Sequence, residues 1–438
     1  MQNETISKHN IGSLVGLLVL GALVVALALT FGRLPKQAKQ ASQAFQSPIQ
    51  TPTQPPYPPP ETPTPAGPLA TPTVAPTSIP RCTFVARPAP AASATPLEAY
   101  RFSEPQVVLT HTSAIGIAGW LPDGQRLLVT RLIPGQSREY VEVFNTRTGE
   151  LQRYGERHSL PGKPVWLAVH QAVAFADVGP DKQVVLRISR EKAESVQTPV
   201  SGLTGSFLGV SPDDGQLVFF TQASQNRPEV LDLAQPQRAI LPAVLPLMRW
   251  SPYRISWHPH GHQIAFYNET GFYLADLPSG RVCEVDLGFE ESEARYGKRW
   301  AFYAQWSPNG RYLAMLTTVG NLPIRFSDLI ILNTLTGEQR LIPPFVYINP
   351  GEHYVQDIAW APNSQVLAVL ATVEYRDGTT WEGLYLVDSV TGRTKAMLPR
   401  MVFPAGDAGW NLSWSPNGKF LAVTCLYGPL CLIETTSP

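Results

Sequence analysis

The chain has 438 residues, room for one large domain or two to three ordinary ones. Lys+Arg and Asp+Glu balance at 34 each, so no basic field points to nucleic acid, and none is expected as a partner. Hydrophobic residues at 44% suffice for a sizeable core, which excludes a wholly disordered chain.

Residues 1–10 are a short polar tail. From Ile11 to Phe31 the chain is apolar without a charge, which predicts a single transmembrane signal anchor over residues 11–32. A cleaved secretory signal is the alternative, since Ala26-Leu27-Ala28 resembles a small-residue cleavage site. Both readings send the remainder out of the cytoplasm. The flanking charges point the other way, because Arg33, Lys36 and Lys39 follow the segment while only Lys8 and the amino terminus precede it. The extracytoplasmic orientation is preferred because a ten-residue leader resembles an export signal and the next segment resembles an extracellular stalk.

That stalk, residues 33–99, is Pro/Thr-rich. Pro48 to Pro80 holds 13 prolines in 33 residues and one charge, Glu61. Such a segment lacks side chains to bury and ladder donors, so polyproline II is expected. At ~3.1 Å per residue it would hold the following domain up to ~100 Å from the membrane.

Residues 100–438 contain a repeat. Its clearest copies are Trp306-Ser307-Pro308-Asn309-Gly310 and Trp414-Ser415-Pro416-Asn417-Gly418, each followed two residues later by an apolar strand. Further copies start at Trp120, Trp257 and Trp360, and one has Val210 where Trp is expected. A degenerate copy has Trp166 and the strand Ala172-Val173-Ala174-Phe175 but no Pro-Gly turn. Successive anchors lie 44 to 54 residues apart, the length of a four-stranded blade. Proline presets the first turn position, Asn or Asp suits the second, and glycine takes the left-handed position beyond. A second polar turn, as in Asn333-Thr334-Leu335-Thr336-Gly337, separates the third strand from the fourth.

The units at 306, 360 and 414 resemble the PD40 repeat of TolB-like, WD40-like propellers of six to eight blades, over roughly residues 104–438. The resemblance implies an all-β propeller fold. It does not imply one function, because such repeats serve binding proteins, peptidase accessory domains and lyases alike. The last unit stops after three strands, and an orphan strand, Gln106-Val107-Val108-Leu109-Thr110, precedes the first Trp. That N-terminal strand is therefore expected to complete the last blade and close the ring. Seven blades are expected, or six if the Trp166 unit is not a blade.

In this strand order the Pro-Asn-Gly and Thr-Gly turns share one face. The second-to-third-strand loops and the blade connections share the other. Six of the ten Trp residues are repeat anchors, and the other four, Trp250, Trp300, Trp381 and Trp410, are assigned to the second face. Those loops also carry Arg295, Tyr296, Arg299, His353, Tyr354 and Arg376. Aromatic and Arg side chains on a rigid scaffold are what interfaces use, so these ten are the candidate binding residues. The plain alternative is that the Trp side chains cover strand ends or plug the channel mouth.

Enzyme signals are weak. His258, His260 and His262 alternate, but in a turn, where their rings converge poorly on one ion. No Gly-x-Ser-x-Gly elbow and no glycine-rich phosphate loop are present, so no catalytic residue, metal or cofactor is assigned. Cys425 and Cys431 flank a five-residue loop between paired strands, close enough for a disulfide, with two buried free thiols as the alternative. Cys283 has no obvious partner. The leading expectation is a membrane-anchored propeller that binds a protein or glycan without chemistry. The alternative is a polysaccharide lyase or hydrolase working in the channel, which converging ionisable side chains would favour.

Overall fold

The computed structural model of the protein describes residues 79–84, 96–111, 115–191, 196–224, 226–246, 252–288, 299–319, 327–342, 354–374, 380–399, 411–425 and 428–436. The repeat turns are built as their residues demand. Ser307 Oγ bonds Asn309 Oδ1 and accepts from Tyr312 N, while Asn309 Oδ1 also accepts from Arg311 N. Gly310 then takes φ +68°. Ser415, Asn417 and Gly418 repeat the arrangement. Asp214 and Ser364 occupy the same left-handed position without being glycine. The degenerate unit uses Gln171 at φ 46°, one residue further on.

Each turn joins antiparallel strands, and the result is seven sheets, six of four strands and one of five. The first strands of blades 1 to 7 are Ile115–Trp120, Val165–Leu167, Gly209–Val210, Arg254–Trp257, Arg299–Trp306, Tyr354–Trp360 and Leu412–Trp414. The Trp166 unit is a full blade, with Val165–Leu167, Ala172–Val178, Val184–Arg190 and Val196–Leu203 in order. That settles the count at seven rather than six. Thr334 N donates to Arg311 O and Ser389 N to Gln365 O, so the two kinds of turn do share one face.

Seven apolar clusters fill the seven gaps between neighbouring blades. One joins Leu128 and Val143 of blade 1 to Phe175 of blade 2, and another joins Ile117 of blade 1 to Leu432 of blade 7. Burial in blade-to-blade wedges explains why the second and third strands run apolar on both faces. The repeat Trp residues add a polar tie. The indole N–H groups of Trp306, Trp360 and Trp120 donate to the carbonyls of Ser256 (3.1 Å), Gln305 (2.9 Å) and Ser413 (2.9 Å), each on the preceding blade's first strand. Trp257 and Trp414 instead donate within their own turns, to Gly261 and Gly418. Trp360→Phe should therefore cost about 1–2 kcal/mol in urea unfolding, since the Gln305 carbonyl loses its partner. No loss of stability would mean that the tie contributes nothing.

The ring closes as the terminal strands suggest. Gln106–Leu109 pairs antiparallel with Leu430–Thr436, with Gln106 opposite Leu432. Arg101–Phe102 extends the same pairing, with Arg101 opposite Thr436. The two terminal segments thus take the outer edge of the blade 7 sheet, and Leu412–Trp414 takes the inner one. A short helical turn, Leu97–Ala99, precedes them and buries Leu97 and Tyr100 between blades 6 and 7.

The chain joins the propeller earlier than the composition of residues 33–99 indicates. Ile79 and Phe84 pack against the clusters flanking blade 4. Arg81 bridges in parallel to Glu284, with Cys82 N donating to Glu284 O (2.8 Å) and Glu284 N to Pro80 O (2.9 Å). Cys82 is bonded to Cys283, the cysteine for which the sequence offered no partner, and Cys425 is bonded to Cys431. The sequence conceals the first pair because the cysteines lie 201 residues apart and Cys82 follows a polyproline-like stretch. Among the described residues no helix is long and apolar enough to cross a membrane. The expected anchor, residues 11–32, lies outside the described residues.

Candidate functional site

A propeller repeats its framework, so the positions where blades differ are where it acquires individuality. One such position is three residues before each anchor. It holds Lys163, Phe207, Arg254, Tyr303, Asp357 and Asn411 in blades 2 to 7. In blade 1 a bulge between Ile117 and Gly119 shifts the register, so Ile117 turns into the core and Gly116 takes the equivalent place opposite Thr130. The ring thus has six side chains, four of them polar or charged in addition to two aromatics, and one gap.

Contacts tie several of these side chains to neighbouring blades. The Arg254 guanidinium lies 5.0 Å from the centre of the Phe207 ring on the preceding blade. Its Nη1 donates to the carbonyl of Phe302 on the following blade. That carbonyl is presented by a bulge between Ala301 and Tyr303. Asp357 follows a second bulge, between Val355 and Asp357. Its Oδ2 accepts from Asn411 N (2.8 Å) and Leu412 N (2.9 Å) on blade 7, and its Oδ1 from Ile358 N (2.8 Å). Lys163 and Asp357 act on each other's charge although blades 2 and 6 are not neighbours. Only a path across the central channel connects them.

The electrostatics follow from burial. Asp357 is completely buried, and desolvation pushes its carboxyl up to about 6, against the pull of Lys163 and three backbone N–H donors. Lys163 is half-buried, and desolvation pushes its ammonium down while Asp357 opposes the shift. Burial raises the Tyr303 phenol well above 10, and Asp357 adds to the rise. Tyr267, which accepts from Ala304 N (3.0 Å), is pushed up to about 12 by the same burial.

Lys163 is held in the channel by the connection between blades 1 and 2. Arg157 is fully buried, pairs with Glu139 (2.5 Å), and donates to the carbonyls of Gly162 (2.6 Å) and Leu160 (3.3 Å). Gly162 N donates to Ser206 Oγ (2.9 Å), and a Cβ at Gly162 would lie 1.8 Å from the Ser206 carbonyl oxygen. Gly162→Ala should therefore push the two connections apart and cost about 2 kcal/mol, read by thermal unfolding. An unchanged midpoint would show that the backbones separate freely.

The sequence-assigned candidates fare unevenly. Trp250, Arg295, Tyr296, His353, Arg376 and Trp410 lie outside the described residues. Trp300 and Trp381 fall in strands, Arg299–Trp306 and Thr380–Asp388, rather than in loops. Trp300 packs edge-on against Phe302 (6.2 Å) at the cluster between blades 5 and 6. Arg299 is buried in an ion pair with Asp328 and a bond to Thr317 Oγ1 (3.0 Å), so it presents no surface to a partner. Tyr354 begins the first strand of blade 6. The ring residues escape a linear reading because they are a column in the repeat alignment, visible only when blades are compared at one position.

Among the described residues no group of three His, Cys, Asp or Glu side chains is placed to hold a metal ion. His258 instead donates to Gly310 O (3.2 Å) and packs against Trp306 of the next blade.

The geometry defines the class: a seven-bladed β-propeller with a polar ring in its channel. No family model matches the chain, so the TolB-like resemblance rests on the repeat residues, and no curated protein matches it. Among solved structures it is similar to an oligogalacturonate lyase from Vibrio parahaemolyticus, with TM-score 0.53 and 12% identity over 79% of this chain and 99% of that one. It is also similar to an oligogalacturonate lyase in complex with manganese (TM-score 0.49, 14% identity, 72% of this chain and 87% of that one). A third similarity is to the β-propeller domain of Swd1 from Myceliophteria thermophila (TM-score 0.47, 14% identity, 75% and 97%). At these identities the likeness establishes the fold alone.

Proposed function

We propose that the protein is a membrane-anchored, extracytoplasmic, TolB-like propeller that binds a protein or glycan ligand over its central channel and performs no chemistry. The observation that carries this reading is the ring of unlike side chains at one repeat position. Recognition surfaces are made by such local departures from a rigid framework. The non-catalytic part is supported by how the ring's groups are engaged. Both Asp357 oxygens accept backbone N–H bonds, which leaves the carboxylate poorly placed as a general base. The Arg254 fork is partly taken by Phe302. Export is supported by the cysteines, all four of which are paired, as suits an oxidising compartment. Anchoring rests on the apolar segment 11–32.

One observation favours the second reading, a polysaccharide lyase or hydrolase. Lys163, Arg254, Tyr303 and Asp357 stand at one repeat position, and three of them, Lys163, Tyr303 and Asp357, carry perturbed acidities of the kind catalytic sites use.

The test is ligand capture from the native envelope by the propeller, followed by glycan binding. The bait must start before Ile79, since the strand carrying Cys82 belongs to the propeller body. A ligand retained by the wild type, weakened in a Lys163→Met bait and recovered chemically unchanged is the expected result. Turnover of a captured glycan would move the protein to the enzyme class. Equal retention by both baits would remove the channel from the function.

A further inference from the structure

We propose that Val74-Ala75-Pro76-Thr77-Ser78 docks along the outer strand of blade 3 and seats the Val74 side chain in a pocket between blades 2 and 3. The occupant of this surface is the chain's own proline-rich segment. The site is on the rim of the ring, apart from the channel and whatever the channel binds. Residues 74–78 lie outside the described ones, and the compact unit that holds the propeller runs from Val74 to Pro438.

The stride is set by the residues that follow. Ile79 packs in the gap between blades 3 and 4, and Phe84 packs in the gap between blades 4 and 5. Five residues thus carry the chain past one blade. On the way it pairs with the outer strand Val282–Glu284, where Glu284 N donates to Pro80 O and Cys82 N to Glu284 O. Val74 stands five residues before Ile79, so the apolar interval is the same. Five extended residues cover ~16 Å at ~3.1 Å each, and the same stride backwards from Ile79 ends at the gap between blades 2 and 3.

A pocket of about 100 Å³ lies in that gap, walled by Leu167, Ile188 and Pro199 of blade 2 and Leu231, Leu233 and Pro236 of blade 3. Its place in the repeat matches the seats of Ile79 and Phe84. Leu233 follows Asp232 as Leu277 follows Asp276, and Leu277 shares the cluster on which Ile79 packs. Pro236 stands four residues after Asp232 as Gly337 stands four after Asn333, and the Phe84 ring lies directly against Gly337. An apolar cavity of ~150 Å³ takes benzene, so this one suits the smaller isopropyl group of valine.

The strand between the two gaps has the matching edge. Arg238–Ile240 is exposed at all three residues, with Ile240 53% exposed. Ile240 pairs with Glu229 as Glu284 pairs with Tyr273, and Leu241 N donates to Pro228 O as Val285 N donates to Phe272 O. In this shared register the N–H and C=O of Ile240 face outward, as those of Glu284 do. Moved back five residues, their partners become Ala75 O and Thr77 N. Pro76 then takes the place of Arg81, whose own N–H the pairing does not use, so the proline costs no hydrogen bond. The docking of Ile79 decides the occupant. It presents Val74 to the pocket at an effective concentration in the millimolar range, which a free partner has to exceed.

The full-length protein is tested with paired substitutions, Pro236→Cys with Val74→Cys, and Pro236→Cys with Ala75→Cys. Each is oxidised mildly as a mixture of isotope-labelled and unlabelled chains, and peptide mapping reads which thiols join. A bond within one chain is expected, forming about tenfold faster from position 74 than from position 75, whose side chain points elsewhere on an extended segment. Equal rates would show a tether without register and overturn the proposal. Bonds between labelled and unlabelled chains would put a second copy in the pocket and overturn it too. Hydrogen exchange gives a reading that needs no new cysteine. Val74→Asp should speed exchange of the Ile240 amide about tenfold, because the segment that covers it leaves. Unchanged exchange there would show that residues 74–78 do not cover the blade 3 edge.

Discussion

Lys163→Met should destabilise the propeller by about 3 kcal/mol at pH 8 and by much less at pH 4.5, read by urea unfolding at both pH values. The direction comes from Asp357. A carboxyl whose folded pKa is raised, here to about 6, weighs against folding only when it must ionise. That penalty is absent below about pH 4, where the unfolded chain is also protonated, and it grows as pH rises through about 6. Lys163 limits the penalty, because its charge pulls the Asp357 pKa down. Removing it sends that pKa higher and leaves a buried carboxylate whose remaining compensation is three backbone N–H groups. Lys163 bears a burial cost of its own while charged, and methionine removes that cost most fully at low pH. Both effects make the substitution more destabilising at high pH. The Tyr303 and Tyr267 phenols do not blur the contrast, since burial raises both and they stay neutral across the range. Asp357→Asn introduced into Lys163→Met should recover part of the loss at pH 8, because partners in one network are not additive. A cost that is the same at both pH values would show that Lys163 matters for packing alone.

The repeat was legible because its chemistry is local. Proline, Asn and glycine in Trp306-Ser307-Pro308-Asn309-Gly310 dictate a turn without reference to the rest of the molecule, and the φ of +68° at Gly310 is what that spacing requires. Blade count and ring closure followed from the length of the repeat and an orphan strand, Gln106–Leu109, with nowhere else to pair. The degenerate blade shows the limit of local reading. Its turn has neither proline nor glycine, and Gln171 is forced to positive φ because strands Val165–Leu167 and Ala172–Val178 are fixed by their neighbours. The candidate site was harder still. Side chains that are distant in sequence, such as Lys163 and Asp357, act on each other's charge only because each blade brings the chain back to the same repeat position. Arg299 and Trp300 begin a strand, so their side chains alternate between faces of a packed blade instead of standing in a loop.

Removing the Cys82–Cys283 bond, in Cys82→Ala/Cys283→Ala, should lower stability by about 3–5 kcal/mol, whereas Cys425→Ala/Cys431→Ala should cost only about 2 kcal/mol. The difference is one of loop length. The first pair closes a loop of 201 residues that spans blades 1 to 3 and most of blade 4, and the second closes a separation of 6 within one hairpin. Cross-linking restricts the unfolded chain roughly as the logarithm of loop length, so the long loop stabilises more. The weak docking of the N-terminal strand pushes the same way. Without the bond, the strand at Arg81 is held to Glu284 by two backbone hydrogen bonds and one exposed ion pair, Arg81 to Asp286 at 2.7 Å, and an exposed pair contributes little. Ile79 and Phe84 supply the remaining attachment through packing on either side of blade 4. Limited proteolysis separates the two contributions. If the strand stays docked in the double variant, cleavage before Pro96 should remain slow while the denaturant midpoint falls. If it detaches, cleavage should speed up and the outer strand Val282–Glu284 of blade 4 becomes an open edge. Equal costs for the two double variants would mean that neither bond acts through the unfolded chain.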